Sequence, residues 1–230
     1  RENGDSATWT RTRIMDFPIP NFDGNTITDL DGDGVADNVE TTDDSHSILI
    51  DNNGMIHVWS GAMIIIDDVA GDEQWSFLPA TSGMWYWNES FGPDSVMYLD
   101  LLLDWDITGN AADGIGADVA NYGVGLTSMP QAAVDPGTGN IYVIFSMTVE
   151  STDFFEDPSN PAAQSFRDLF GIYTTDGGAT WTTPVNLTRD ADNFMENVYP
   201  SAFPQVRNGQ IHTIWMRDEE PGHSVSGDSD

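Results

Sequence analysis

The chain has 230 residues and a mass of 25.2 kDa, with 7 Lys+Arg against 38 Asp+Glu, a formal net charge of −31 and no Cys. That charge excludes nucleic acid, which needs a basic footprint, and weighs against docking on an anionic membrane; the missing thiols exclude disulfides, thiolate metal sites and Cys nucleophiles. With 8 Trp and 11% aromatic residues the acidity is not that of a disordered chain, no run approaches the roughly 18 apolar residues of a membrane-spanning helix, and the length suits one large domain or part of one.

Every cation is Arg, Lys is absent, and the acids are mostly Asp rather than Glu. Asp is a turn residue and a hard-cation ligand. The surplus reads either as a solubilised, salt-tolerant surface or as the acid of a secreted protein that binds calcium where calcium is plentiful. Both readings suit an extracellular or cell-surface location.

Helical periodicity is almost absent. Short runs rich in Ile, Val, Trp and Tyr alternate with Gly, Asn, Asp and Pro clusters, which predicts an all-β fold. In chain order, a turn at Glu2-Asn-Gly4-Asp-Ser6-Ala-Thr8-Trp9 leads into a strand over 8–15. Next comes Asp29-Leu-Asp31-Gly-Asp33-Gly34-Val35-Ala-Asp37-Asn-Val-Glu40, which fits Asp-x-Asp-x-Asp-Gly-x5-Glu at every position. Side-chain oxygens of Asp29, Asp31, Asp33, Asp37 and Glu40 and the Val35 carbonyl would surround one Ca²⁺, with Gly34 at the sharp turn. The flanks do not read as helices, so this resembles a calcium loop of the dockerin or thrombospondin type-3 kind embedded in a β fold. The bland alternative is an acidic turn without metal.

A hairpin module follows and recurs, at 47–59, 131–145 and 202–215. Each copy is an apolar strand, an Asn/Asp/Gly turn, and a second strand opening Gly-x-Ile-His or Gly-x-Ile-Tyr at Gly54, Gly139 and Gly209. His57 and His212 share a repeat position with Tyr142, which favours packing over ligation or base chemistry; His46 and His223 read as solvent-exposed. Trp85-Tyr86-Trp87 alternates on a strand and reads as core rather than as a sugar platform. Asn88-Glu-Ser90 and Asn186-Leu-Thr188 fit the N-glycosylation triplet. Acidic connections carry Asp104, Asp106, Asp113 and Asp118, then Asp190, Asp192 and Glu196. Between the second and third hairpins, strands over 169–173 and 182–187 flank the turn Thr174-Thr-Asp176-Gly-Gly178-Ala-Thr180-Trp181. There Asp176 should accept the turn's own N–H groups, Gly178 should supply a permissive φ, and Trp181 should pack over the hairpin.

That turn matches the Asp-box pattern, Ser/Thr-x-Asp-x-Gly-x-Thr-Trp, with a degenerate copy at residues 2–9. With the hairpins it makes the chain resemble the sialidase-like (BNR-repeat) β-propellers, and more loosely the BNR-repeat proteins secreted by Bacteroidetes. The resemblance implies four-stranded antiparallel blades: two over about 45–103 and 127–188, partial blades at both ends of 1–230, and the loop 29–40 inserted between blades. The count of blades does not close a six- or seven-bladed ring, so the expectation is part of such a ring, the alternative being a smaller ring completed by unrecognised strands; acidic inter-blade loops would lie on one face and Asp-boxes on the other.

A sialidase would also need an arginine triad, an Arg-Ile-Pro motif, a Tyr nucleophile helped by Glu, and an Asp acid. The chain has Arg13-Ile14-Met15 instead and no recognisable triad, so no catalytic residue is assigned. The expected function is a secreted or cell-surface calcium-binding module serving as an interaction or adhesion platform. Its expected partners are protein or glycan at the cell surface, or other segments of a longer polypeptide. The alternative is a glycan-active enzyme, hydrolase or lyase, whose site is completed by segments outside this chain.

Overall fold

The computed structural model describes residues 10–104, 107–111, 115, 119–120, 122–154, 164–189 and 195–222. Among them the structure is all-β, with one 3-10 turn at Glu89–Phe91 and no helix long and apolar enough to cross a membrane. Three antiparallel sheets follow one another along the chain.

The first sheet is built from β1 (Val39–Ile50), β2 (Ile56–Ile66), β4 (Met84–Asn88) and β5 (Met97–Leu99), in that order, with β3 (Ser76–Leu78) also on β2. The second runs β6 (Thr127–Val134), β7 (Ile141–Phe154), β8 (Gln164–Thr174) and β9 (Val185–Asn186). The third holds β10 (Glu196–Ala202) and β11 (Thr213–Asp218). The three hairpins of the sequence are the first two strands of each sheet. Beyond β10 the third hairpin continues to a tight turn where Arg207 and Gln210 bridge across Asn208-Gly209, whose φ values of 54° and 72° suit that pair of residues.

The repeat reaches further back than the sequence pattern. The first strand of each hairpin is bulged, between Thr42 and His46, between Ser128 and Gln131, and between Val198 and Ser201. Each bulge holds one non-glycine residue in the left-handed region: Asp44, Met129 and Tyr199 at φ 66°, 57° and 52°. These three are spaced 85 and 70 residues apart (129 − 44 and 199 − 129), as are Gly54, Gly139 and Gly209 (139 − 54 and 209 − 139). A bulge turns a strand and re-aims its side chains, so it is part of the repeated unit.

Two expectations change here. The first sheet begins at Val39 rather than near residue 45, because the bulge absorbs an Asp-rich stretch that composition alone assigns to a loop. Residues 10–15 of the strand expected over 8–15 are not in a strand. That segment lacks a ladder partner and is tied through Arg13, whose guanidinium meets Asp94 at 2.6 and 2.8 Å and Asp16 at 2.6 Å. The turn at 2–9 lies outside the described residues.

Strand starts and hairpin tips lie at opposite ends. At the tips Asn52 Nδ2 donates to the Asp135 carbonyl at 3.0 Å, and Val134 bridges in parallel to Gln205. At the starts the Gly125 N–H donates to Asp43 Oδ2 at 3.2 Å, and Ser146 Oγ donates to the Asn197 carbonyl at 3.2 Å.

The main core lies between the first two sheets, where Trp59, Met84 and Tyr86 meet Val143, Phe145, Met147 and Phe170, all fully buried. Phe145 and Phe170 stack at 6.2 Å, and Trp59 and Tyr86 at 5.3 Å. Burying an aromatic side chain of this kind contributes on the order of 1.5–3 kcal/mol. Trp85-Tyr86-Trp87 is therefore core in its middle member, with Trp87 also buried and Trp85 half-buried.

Candidate metal site

The acidic loop is anchored at its base. Thr28, fully buried, donates its N–H to the Asp67 carbonyl at 2.9 Å; its carbonyl accepts the Asp37 N–H at 2.7 Å, and its hydroxyl donates to the Asp37 carbonyl at 2.6 Å. Residues 28 and 37 are thereby clamped together and fixed to the chain leaving β2. Within the loop the carboxylates turn inward onto backbone. Asp29 accepts Gly32 N–H at 2.7 Å and Gly34 N–H at 2.9 Å, Asp31 accepts Asp33 N–H at 3.1 Å, Asp33 accepts Val35 N–H at 2.8 Å, and Asp37 accepts Leu30 N–H at 2.7 Å. Gly32 and Gly34 take φ values of 82° and 86°, a conformation that side chains resist.

This folding brings carboxylate oxygens of Asp29, Asp31 and Asp37 within 4.8 Å of one another. Asp33 and Glu40 are not in that group. Glu40 pairs with Ile64 in the β1–β2 ladder and lines a groove with Trp85 and Tyr98. Position 12 of the motif thus sits at the start of β1 rather than in a flanking helix. The Val35 side chain is exposed. Three hard oxygen donors on a preformed loop, with water completing the shell, suit a hard divalent cation. Three carboxylates at such range repel one another unless a cation or solvent screens them.

The other acidic positions divide. Asp104 accepts Thr108 N–H at 3.1 Å and Gly109 N–H at 2.7 Å. Asp106, Asp113, Asp118, Asp190 and Asp192 lie outside the described residues, as does His223. Glu196, grouped in the sequence with an acidic connection, is instead 1% exposed at the start of β10.

Around Glu196 is a polar cluster that composition gave no reason to expect. Arg167 of β8 is 1% exposed. Its guanidinium donates to the Gly125 carbonyl at 2.9 Å and the Leu126 carbonyl at 3.4 Å and lies 5.5 Å from the Tyr122 ring centroid, while its backbone N–H donates to Glu196 Oε2 at 2.6 Å. Glu196 Oε1 has no aligned hydrogen-bond partner, although Tyr122 stands close enough for each to perturb the other. Burial pushes the Glu196 carboxyl up to about 7 against the pull of Arg167, and burial also lowers Arg167 and raises Asp43 and Tyr122. Asp43, in the β1 bulge, accepts Gly125 N–H at 3.2 Å and Ser45 N–H at 3.1 Å, and Gly61 opposite leaves room for its carboxylate. The one hint in the sequence was an Arg inside an apolar strand of a chain with so few cations.

The Asp-box holds itself together. Asp176 accepts the Thr174 hydroxyl at 2.7 Å, the Thr180 hydroxyl at 2.6 Å and the Thr180 N–H at 3.0 Å, while Gly178 N–H donates to Thr174 Oγ1 at 3.0 Å. These bonds, led by Thr180, hold the Asp176 carboxyl well below the usual carboxylate range. Gly178, at φ 94°, lies against Tyr86 of the first sheet, leaving no room for a Cβ, and Trp181 meets Tyr86 edge-on at 5.2 Å. The turn thus docks one sheet on another.

His57 is buried, with Nδ1 2.8 Å from the Tyr86 hydroxyl and Nε2 3.6 Å from Asp51, and burial lowers its basicity. It packs, while His212 and His46 are exposed. Asn88 is 3% exposed and engaged with Ser90 and the Tyr86 hydroxyl, which removes it as a glycosylation acceptor. Asn186 is half-buried and donates to Asp168 at 2.6 Å.

No protein-family model matches the chain, and no curated protein matches it. Among solved structures it is similar to the Hadza microbial sialidase Hz136, with 14% sequence identity and a TM-score of 0.36. The likeness covers 68% of this chain and 29% of that protein, so the chain spans under a third of its length.

Proposed function

We propose that this chain is a segment of a β-propeller that binds calcium outside the cell or at its surface and serves there as an interaction platform. The observation that carries the reading is the convergence of Asp29, Asp31 and Asp37 on a loop clamped to the first sheet. The loop is short and its base is fixed, so ligands are presented at little ordering cost, which favours binding. In the platform reading the ion stiffens a surface loop, and a partner docks on protein and ion together. The ring architecture is supported by the repeated meander sheets, the bulges at matching positions, and the placement of strand starts and hairpin tips at opposite ends.

Calorimetric titration with CaCl₂ should give saturable binding, and EGTA should lower the melting temperature, because an ion held only by the native state stabilises it by mass action. Asp29→Asn combined with Asp31→Asn should abolish the heat and the EGTA effect. Melting insensitive to EGTA, with no calcium heat in the parent chain, would sink the calcium reading.

The second reading, a glycan-active enzyme, is favoured by one observation: Tyr122, Glu196, Arg167 and Asp43 gather at the strand starts. These are residue types a sialidase uses. Against it, the Arg167 guanidinium is taken up by two backbone carbonyls and is sealed from solvent. Hydrolysis of aryl sialosides or other aryl glycosides, lost in Tyr122→Phe, would reverse this preference.

A further inference from the structure

Where the Asp-box turn sits on the first sheet, one buried proton has two destinations. Tyr86 is fully buried. Among the described residues its hydroxyl has three hydrogen-bond neighbours: Asn88 Nδ2 at 2.9 Å, His57 Nδ1 at 2.8 Å and the Gly177 carbonyl of the turn at 3.4 Å. Asn88 is fixed as a donor, because its Oδ1 already accepts the Ser90 N–H at 2.9 Å and the Ser90 hydroxyl at 2.5 Å. The Gly177 carbonyl can only accept, whereas His57 Nδ1 can do either. The single hydroxyl proton of Tyr86 therefore goes to His57 or to Gly177, according to the state of the imidazole.

The other ring nitrogen decides which. His57 Nε2 is buried, has no aligned hydrogen-bond partner and lies 3.6 Å from Asp51 Oδ2. Asp51 is held in place through Oδ1, which accepts the Asn53 and Met55 N–H groups at 2.8 Å each. A lone pair on Nε2 would face this carboxylate, so Nε2 carries the proton of the neutral ring. Nδ1 is then the acceptor, and Tyr86 donates to it across the shorter contact. A second proton on the ring reverses this. Nδ1–H then donates to Tyr86, Nε2–H is drawn to Asp51, and the Tyr86 proton is left with the Gly177 carbonyl. Asn88 and Nδ1 fill the two lone pairs of the hydroxyl, so every member of the chain has a partner in the charged state.

Burial lowers the basicity of His57, and the two charged groups that act on it, Asp51 from the hairpin turn and Glu89 from the 3-10 turn, both oppose that fall. Asp176 of the Asp-box acts on Tyr86. Leu49 and Asn88, opposite His57 on β1 and β4, bring no charge.

We propose that Asp51, His57 and Tyr86 form a proton-operated latch: uptake of one proton by His57 turns the Tyr86 hydroxyl to the Gly177 carbonyl and adds a hydrogen bond between the first sheet and the Asp-box turn. The latch closes on the acid side of the ordinary histidine range, because burial delays the charge. Over that window the unfolded chain binds more protons than the folded one at this residue, so the His57 contribution to global stability falls as pH falls, while the local contact tightens. The opposite signs separate a latch from simple acid loosening of the interface. The inference does not depend on the calcium reading.

Nitrogen-15 and carbonyl carbon-13 NMR of the whole chain, titrated from about pH 8 to about pH 4.5, test it. The His57 ring should begin as the Nε2–H tautomer and become doubly protonated, and the Gly177 carbonyl carbon should move downfield with the same midpoint. In Tyr86→Phe, His57 should still titrate and the Gly177 carbon should no longer follow. Asp51→Asn keeps the acceptor that the turn needs; there His57 should require about threefold more acid or beyond, with the Gly177 response shifting alongside. The Nδ1–H tautomer at the high-pH end would overturn the inference, since Tyr86 would already be bonded to Gly177. So would a ring that stays neutral until the chain unfolds, a Gly177 midpoint different from that of His57, or an Asp51→Asn midpoint equal to the parent's. These outcomes are read whether or not Tyr86→Phe folds, and a Gly177 response that survives in that variant would overturn the inference as well.

Discussion

The two inter-sheet interfaces use the same repeated hairpins and opposite chemistry. Between the first and second sheets the middle of the contact is apolar and aromatic, closed by Trp59, Tyr86, Phe145 and Phe170, with the Asp-box turn seated on Tyr86 and polar contacts at its ends, from Asp43 and Asn52. Between the second and third sheets the inner part is polar: Arg167 N–H bonds Glu196, and Asn197 Nδ2 donates to Asp168 at 3.0 Å. Its outer part is an open groove. Backbone repetition therefore fixes where sheets lie but leaves each interface to its own side chains. An apolar interface tolerates small errors in position, while a buried charged one holds only if every partner is present.

The largest effects should separate the two interfaces by rescue rather than by size. Phe170→Ala and Arg167→Ala should each cost about 3–5 kcal/mol in denaturant unfolding, the first by opening a cavity and the second by stranding buried acids. Adding Glu196→Gln should recover much of the loss in Arg167→Ala and none of the loss in Phe170→Ala. Equal response of both to Glu196→Gln would erase the distinction.

Next in size, Gly178→Val should cost about 1–3 kcal/mol through overpacking on Tyr86, since a side chain there must displace that ring and adopt a disfavoured φ. Thermal unfolding reads this directly, and full tolerance would mean that the turn does not seat on the first sheet.

A pH profile sharpens the polar side. Glu196 has its folded value raised from 4.5 to about 7, so between those limits the folded chain binds more protons than the unfolded one. Stability should fall as pH rises through that window and then level off, and the buried Asp43 adds in the same direction. Glu196→Gln should flatten the slope relative to the parent. An unchanged slope would assign it to general repulsion among the surface acids.

The smallest effect is expected at Asp176. Its carboxyl is held low, so it stabilises above the ordinary carboxylate range, and that contribution is lost as pH falls through the lowered value. Asp176→Ala should lower the melting temperature modestly, remove this acid-side loss and leave calcium binding intact. Loss of calcium heat in that variant would show that the turn is more than a structural cap.

The hairpins, the Asp-box and the acidic loop were legible because each depends on residues adjacent in sequence: Asn-Gly turns, a Thr/Asp/Gly pattern, alternating Asp. The bulges at Asp44, Met129 and Tyr199 were not, since a left-handed Met or Tyr carries no local signature. Nor was the burial of Glu196 beside Arg167, which depends on contact between strands 29 residues apart. Glu40 marks the limit of motif reading. Its spacing suits a calcium loop, yet its pairing with Ile64 is decided by the whole β1–β2 ladder. Of the expected side-chain ligands, Asp29, Asp31 and Asp37 lie within reach of one another, a proximity that the turn sets locally.

The bulges also bear on how such a chain can be rebuilt. Slipping a strand by one residue turns its inward side chains outward, so a change of length ahead of a strand threatens everything after it. Here each first strand passes a fixed kink soon after it begins, and pairing downstream is set by that kink and the hairpin turn. The connection upstream is then free to lengthen or shorten without disturbing the phase of the sheet. The stretches before β1, β6 and β10 are natural ports for grafted loops, and the acidic loop, from Asp29 up to the start of β1, occupies one of them.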